Sequence, residues 1–310
     1  MTRNYKLPTR VMAHAGRQLL DSAAGRGECS FATADAVADR WAQFASFAKT
    51  QGIGRMERVS PELVREYGLG LGKRVDAAEI SPAYAQNLVS AVNTVMGLVR
   101  PWKSVSPTKD CGIQTRSTIR HVAPATLDRP AFDGVIGQMM QNGLIRQSAL
   151  ASLARNFGLR SKEASLLDAA VALRQAQHGN TVQIKDGTKG GRLREVPITM
   201  PFQIRTLADA AQLQGGARSM VPVAETWSQW RNGGLREGRE ALKQQGCPGY
   251  HDLRAAYACE RYSMLTGFSA PVCQEGSRPE RDVDYAARMV ISRELGHDRV
   301  DVVASYIGAR

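Results

Sequence analysis

The sequence predicts a mainly α-helical protein of two domains with one small antiparallel β-hairpin. Three observations lead to this fold class. Apolar residues recur at helical spacing between residues 33 and 99. An aperiodic stretch rich in proline, hydroxyl and cationic residues follows, from residue 101 to about 124. Beyond residue 126 the pattern is again mostly helical, and one pair of alternating segments interrupts it.

Size and charge restrict the class of protein. A chain of 310 residues fits about two domains at roughly 100–200 residues each. Its 41 basic residues outnumber 29 acidic ones, and the net charge of +12 favours a polyanionic partner, most commonly nucleic acid. The alternative is a basic surface that only keeps the protein soluble. Because no apolar run approaches the ~20 residues that span a bilayer, and no secretory signal opens the chain, we expect a cytoplasmic protein without membrane contact.

The cysteine pattern argues against disulfides and structural zinc. The chain has five cysteines, an odd number, and they are scattered without any Cys-x-x-Cys pair. We therefore expect reduced thiols and no metal.

Domain boundaries follow from the changes in pattern. We expect a basic N-terminal arm at 1–30, a helical domain at 31–100, a linker at 101–125 and a second domain at 126–310. The first segment has no acidic residue before Asp21, which suits an arm lying on DNA, although a solvated surface helix is an equal alternative.

Start signals and apolar stripes define the helices of the first domain. Trp41 and Phe44 belong to a stripe at three- and four-residue steps, typical of a buried helical face. Ser60-Pro61 and Ser81-Pro82 each place serine as N-cap and proline at the first helical position. We therefore expect three or four helices in this domain.

The second domain contains the predicted hairpin. Residues 181–184 and 195–198 alternate as strands, and the glycine-rich, cationic segment 185–192 joins them as a turn. We expect residues 269–284, which contain two prolines and a glycine, to form an exposed loop.

Several short motifs carry residues suited to chemistry on a phosphate. His251 and Arg254 stand three apart and project from one helix face. Each motif alone is commonplace, because such pairs are usually surface pairs and a C-terminal tyrosine usually packs in a core. In chain order, the candidate residues are Arg160, Lys189, His251, Arg254, His297 and Tyr306.

This ordered set resembles the tyrosine recombinase (phage integrase) family, whose catalytic residues are Arg, Lys, His-x-x-Arg, His and Tyr. Lys189 precedes a Val-Pro pair, as the hairpin lysine of that family does, and Leu-Gly-His ends nine residues before Tyr306. Glu163, three residues after Arg160, fits as an orienting partner. The resemblance covers roughly residues 31–308.

The resemblance implies a fold and an activity. The fold is a two-domain DNA clamp, with a helical core-binding (SAM-like) domain at 31–100 and an α+β catalytic domain at 126–310. The activity is site-specific recombination by an integrase of a mobile element. The implied partners are double-stranded DNA attachment sites, bound by a homotetramer in the bacterial nucleoid.

The implied roles match the chemistry of the side chains. Tyr306 would attack the scissile phosphate and form a 3′-phosphotyrosyl bond, which conserves bond energy without ATP. Arg160 and Arg254 would clamp the non-bridging oxygens, because the guanidinium fork matches phosphate geometry. His297 would donate a further hydrogen bond.

Two proton transfers complete the implied reaction. His251 would help to remove the proton from Tyr306, since a histidine pKa lies near neutrality. Lys189 would protonate the leaving 5′-oxygen. No metal or other cofactor is needed, because the cations neutralise the phosphate.

Two departures from the family leave alternatives open. The stretch between Arg254 and His297 is long, with the excess at 269–284, and the chain ends four residues after Tyr306. We therefore expect subunits to couple through another surface, or the protein to act with a second recombinase or a DNA-bending factor. An accessory factor that activates another recombinase, and a type IB topoisomerase, are the alternative functions.

Overall fold

The computed structural model describes residues 3–273 and 276–310, and for Lys189 it describes the backbone alone. The chain divides into two compact units, unit 1 (Met1–Ser117) and unit 2 (Thr118–Arg310), each with its own apolar core. No helix among the described residues has both the length and the apolar character needed to cross a bilayer. All five cysteines are free thiols, as their spacing predicts.

Unit 1 is a helical bundle whose starts follow the predicted capping signals. The Ser60 side chain accepts a hydrogen bond from the Leu63 amide at 3.3 Å, and Ser81 accepts one from Tyr84 at 3.2 Å. Trp41 is fully buried, as its stripe predicts. The helices are α1 (Met12–Gly25), α2 (Phe31–Thr50), α3 (Pro61–Asp76) and α4 (Pro82–Gly97).

The segment expected as a basic arm contains α1, which packs against α2. Met12 and Ala15 are buried, and the Trp41 indole Nε1 donates to the Met12 carbonyl oxygen at 2.9 Å. A Cβ on Gly16 would overlap the Trp41 ring. The apolar side of this helix therefore joins the core of unit 1, while Arg17 lies on the surface and pairs with Asp35 and Asp39.

The segment predicted as a linker, 101–125, contains the division between the two units. Its first part packs on unit 1, because the Asn93 side chain accepts from Trp102 Nε1 at 2.9 Å and from the Val105 amide at 3.0 Å. Cys111 and Ile113 are buried in the same core. The division between units falls at residue 117, since an aperiodic segment can pack through single apolar side chains.

Unit 2 is mostly helical and contains a short hairpin. Its helix α12 packs against α6, α13 and α14. Its helices are α5 (Arg129–Gln141), α6 (Ile145–Phe157), α7 (Ser161–Leu166), α8 (Ala169–Gly179), α9 (Pro201–Gln214), α10 (Trp227–Asn232), α11 (Gly234–Gln244), α12 (Tyr250–Thr266), α13 (Arg281–Glu294) and α14 (Ala304–Ile307).

The predicted hairpin is present, with its second strand one residue earlier than expected. Strands β1 (Thr181–Ile184) and β2 (Arg194–Pro197) pair antiparallel, with Ile184 opposite Arg194. The turn approaches the start of α7 so closely that a Cβ on Gly187, which has a φ of +75°, would lie 2.9 Å from the Lys162 carbonyl oxygen. The hairpin is therefore docked on the element that follows Arg160.

The expected exposed loop at 269–284 is only partly a loop. Helix α13 begins at Arg281, and Asp284 is buried in an ion pair with Arg288 at 3.0 Å. Ala270 is buried, and the Val272 amide donates to the Ile307 carbonyl oxygen at 2.9 Å. The predicted loop was therefore wrong at both ends, because buried pairing and packing outweigh the turn-forming composition. Residues 274 and 275 lie outside the described residues.

Candidate active site

Arg160 stands at the turn between α6 and α7. Gly158, with a φ of +61°, ends α6 in the left-handed conformation, which glycine adopts without steric cost. Glu163 then accepts from the Arg160 amide at 2.7 Å and from Arg160 Nη1 at 2.6 Å. One carboxylate thus fixes both the backbone amide and Nη1 of Arg160, and Nη2 points away from Glu163.

Arg254 is placed by α12 and is 1% exposed. Its Nη1 donates to the carbonyl oxygen of Gly158, and its Nη2 donates to that of Leu295. Its Nε faces the Tyr306 hydroxyl at 3.2 Å. Two backbone carbonyls from distant parts of the chain therefore orient this guanidinium against the tyrosine.

His297 and Tyr306 complete the cluster. The turn after α13 is closed by the His297 amide, which donates to the Ser292 carbonyl oxygen at 2.7 Å. His297 Nε2 lies 3.2 Å from Arg160 Nη2 and 3.4 Å from the Tyr306 hydroxyl oxygen. Tyr306 is only 4% exposed on α14.

The protonation of His297 follows from its partners. Arginine is a donor only, so the contact with Arg160 requires His297 Nε2 to accept and places the ring proton on Nδ1. The Tyr306 hydroxyl accepts from Arg254 Nε and shares the single lone pair of His297 Nε2 with Arg160. Burial and the nearby cations of Arg160 and Arg254 lower the pKa of His297 to about 4, so the ring is neutral at pH 7.

His251 lies against the other side of the tyrosine. Its ring centroid is 5.1 Å from that of Tyr306, with the planes tilted by 46°. Desolvation, followed by the cations of Arg254 and Arg120, lowers the pKa of His251 below its ordinary value. A neutral imidazole is thus held beside the phenol.

Glu163 is the buried anion of the cluster, with a fully buried side chain. Its Oε2 accepts from Arg194 Nη2 at 2.8 Å and lies 3.7 Å from Arg254 Nη1. Burial alone would raise the pKa of Glu163, but the cations of Arg194, Arg254 and Arg160 outweigh it and lower the pKa. Three guanidinium groups face one carboxylate, so the cluster retains positive charge.

Lys189 lies in a 3₁₀ turn (Lys189–Gly191) between the strands. Its side chain falls outside the described residues, so its role as proton donor to the leaving 5′-oxygen remains a prediction.

Sequence reasoning missed two arginines of the site. Arg194 is buried, and a signal was present, because Val196 is buried on β2 and residues two apart in a strand face the same side. Arg120, at the start of unit 2, pairs with Asp252 on α12, and its amide donates to the Ala304 carbonyl oxygen at 2.9 Å. No sequence signal placed Arg120 beside the tyrosine helix.

The arrangement is suited to binding an anion against a nucleophile. Arg254 and a neutral His297 both contact the phenolic oxygen of Tyr306, and Arg160 contacts His297. Guanidinium groups form charge-assisted hydrogen bonds that suit phosphate. Within the described part of the chain, no group of three or more histidine, cysteine or acidic side chains is arranged to hold a metal ion.

Comparisons with known proteins concern the family and the fold. Residues 116–260 match a family model described as Integrase. No curated protein sequence matches the chain. The solved structures that the chain resembles are recombinases, and at identities of 14% or less the likeness shows the fold.

Three structures illustrate the likeness. XerH site-specific recombinase, bound to palindromic difH substrate in a post-cleavage complex, matches with a TM-score of 0.60 and 14% identity, over 95% of this chain and 80% of that one. A lambda integrase dimer bound to a COC′ core site gives 0.59 and 14%, over 96% and 77%. The Tn1549 transposon integrase, in complex with transposon right end DNA, gives 0.56 and 10%, over 95% of each chain. The predicted fold class is confirmed.

Proposed function

We propose that this protein is a site-specific recombinase of a mobile element. The match of residues 116–260 to a family model described as Integrase, and the fold shared with solved recombinases, support the proposal. One observation carries the proposal. The Tyr306 hydroxyl is held 3.2 Å from Arg254 Nε and 3.4 Å from His297 Nε2, next to Arg160. The proposed nucleophile therefore lies among side chains suited to binding a phosphate.

The proposed reaction is an exchange of phosphodiester for phosphotyrosine. The Tyr306 oxygen attacks phosphorus, the bond from phosphorus to the 5′-oxygen breaks, and a 3′-phosphotyrosyl bond and a free 5′-hydroxyl result. Attack by a 5′-hydroxyl reverses the step and rejoins DNA. Arg160 and Arg254 neutralise the charge that develops on the non-bridging oxygens.

We assign proton transfer to His251, which lies beside Tyr306, and to Lys189, which lies in the hairpin. A phosphate clamped by the arginines replaces His297 as the acceptor for Arg160 Nη2. The neutral His297 ring then carries its proton on Nε2 and donates a further hydrogen bond to the phosphate, which leaves His251 as the histidine that accepts the Tyr306 proton. Lys189 protonates the 5′-oxygen. Since the cations supply the charge, we propose that cleavage continues in EDTA.

The test is covalent capture. The protein is expressed in cells that carry its native flanking DNA and is then denatured, and the DNA that stays attached is sequenced from its 3′ ends. We expect adducts at one site with the wild type and none with Tyr306→Phe. Persistent adducts with Tyr306→Phe would exclude Tyr306 as the nucleophile.

Other outcomes would favour the alternative functions. Adducts spread over many sequences, with relaxation of supercoils and no strand exchange, would indicate a type IB topoisomerase activity. Site-specific binding without any adduct would indicate an accessory factor.

The proposed assembly is a tetramer on two DNA sites. A lambda integrase tetramer bound to a Holliday junction matches this chain with a TM-score of 0.58 at 14% identity. Sedimentation of the protein with its captured site tests the stoichiometry, and a 1:1 complex under cleavage conditions would contradict it.

A further inference from the structure

Arg194 is a buried cation that the proposed roles leave unused. It is the first residue of β2, and its side chain is 3% exposed. Its Nε donates to the Glu294 carbonyl oxygen at 2.7 Å and its Nη2 to Glu163 Oε2 at 2.8 Å. Burying a guanidinium is costly even when it is paired, so an apolar residue would serve simple packing better at this position.

One side of Arg194 supports the turn that carries His297. Gly296 has a φ of +70°, and a Cβ there would lie 2.9 Å from Arg194 Cδ. Any larger residue at 296 would push this arginine away. Gly296 of the Leu-Gly-His motif is therefore the point at which the backbone of the turn after α13 packs directly on Arg194.

The other side of Arg194 reaches the phosphate-binding arginines through Glu163. Glu163 Oε2 accepts from Arg194, while Oε1 accepts from Arg160 Nη1 at 2.6 Å. With its carboxylate anchored by Arg194, Glu163 fixes Arg160 so that Nη2 points at His297. Arg194 Nη1 is also buried and has no partner within the described part of the chain.

We propose that Arg194 is a positioning residue that ties the β-hairpin bearing Lys189 to the Arg160–His297 cluster. The proposal rests on the proposed function, in which a lysine of the hairpin and the arginines act on the same phosphodiester. These groups come from separate parts of the chain, so their alignment needs a rigid link. Arg194 supplies it, because it stands five residues after Lys189 and bonds to both α7 and α13.

Two variants of Arg194 and one matched control test this role. Arg194→Gln removes the charge, and Arg194→Lys keeps the charge but loses the planar fork that reaches two acceptors. Arg155→Gln is the control, since Arg155 is fully buried in the same unit and pairs with Glu260 at 2.9 Å, outside the cluster. The adduct rate, the DNA affinity and the melting temperature are measured for each.

We expect Arg194→Gln to slow adduct formation by about 10²-fold, because a small misplacement of catalytic groups has effects of this size. DNA affinity should remain unchanged, and Arg194→Lys should recover part of the rate. Arg155→Gln should lower the melting temperature without a comparable loss of rate. A wild-type rate for Arg194→Gln, or equal rate losses for Arg194→Gln and Arg155→Gln, would overturn the proposal.

Hydrogen exchange provides a readout that needs no cleavage. Arg194→Gln should raise amide exchange in two separate segments, 185–193 and 295–299, while Arg155→Gln should leave both unchanged. Faster exchange in the hairpin alone would contradict the link. If the wild type forms no adduct, the proposed function fails, and the exchange pattern still decides whether Arg194 joins the two segments.

Discussion

At the scale of single residues, the direction of each guanidinium nitrogen governs the candidate site. Both Nη atoms of Arg254 are bonded to backbone carbonyls, so Nε is the nitrogen that meets Tyr306. Arg160 divides its two Nη atoms between Glu163 and His297. Lysine could supply the charge at either position but could not reproduce these fixed directions.

The fork of Arg254 gives the first residue-scale prediction. Arg254→Lys should slow adduct formation by about 10²–10³-fold, the usual effect of losing one preorganised donor to the transition state. DNA binding should persist, because it is spread over many cations. Arg155→Lys, at a buried arginine outside the cluster, controls for lost stability, and equal rate losses in both variants would contradict the assignment.

The two histidines give a prediction for pH. A proton acceptor works in its neutral form, so its contribution is lost as the pH falls through its pKa. Burial and cations lower the pKa of both rings, to about 4 for His297. If His251 accepts the Tyr306 proton, the wild-type rate should hold as the pH falls to about 6.5, the ordinary histidine pKa, and should fall only at lower pH, where the lowered pKa of His251 lies. Arg254 still binds phosphate there.

The pH profile of single variants tells the two histidines apart. His251→Gln should slow adduct formation and abolish the fall in rate that the wild type shows on the acid side of the ordinary histidine pKa. His297→Gln should slow the reaction but keep that fall. Loss of the fall in His297→Gln, and its persistence in His251→Gln, would assign the proton to His297, whose Nε2 lies 3.4 Å from the Tyr306 oxygen.

At the scale of elements, short turns bring the functional residues together. Gly158 ends α6, supplies a carbonyl oxygen to Arg254 and precedes Arg160 by two residues. A Cβ at this position would lie 2.5 Å from the Tyr257 ring. The conformation and the close packing both require glycine.

Gly158→Ala should therefore destabilise the protein more than a similar change in an open turn. The left-handed backbone costs about 1–2 kcal/mol for alanine, and the overlap with Tyr257 adds about 1–3 kcal/mol. Gly143→Ala is the matched control, because Gly143 has a φ of +76° and open space around it. Chemical denaturation of both variants measures the difference, and equal losses would show that Tyr257 moves aside freely.

At the scale of the whole molecule, the protein has two units, each with its own apolar core. The described members of the candidate site lie in unit 2, and unit 1 has an independent helical core. The excess of 12 positive charges belongs to the whole chain and concerns binding rather than chemistry.

The charge predicts salt-sensitive binding to any duplex. If about 6–10 phosphates are contacted, affinity for an unrelated duplex should fall about 10³–10⁵-fold between about 50 and 200 mM salt. Fluorescence anisotropy over this range measures the slope. Tyr306→Phe should keep the wild-type dependence of affinity on salt concentration. An affinity that does not change with salt would argue against a surface that binds DNA through its phosphates.

The sequence by itself determined the helical class, the hairpin and the six candidate positions. Capping serines, a stripe at Trp41 and alternating strands act over short distances, so periodicity and local hydrogen bonding are sufficient to predict them. Only the tertiary structure decided which distant residues pack or pair with these elements and the segments between them. Helix α1 joined a core, the segment at 269–284 gained helix and buried pairs, and Arg194 was revealed beneath Gly296. Such contacts join residues far apart in the chain, and their free energy depends on burial and partner geometry, which a local pattern does not contain.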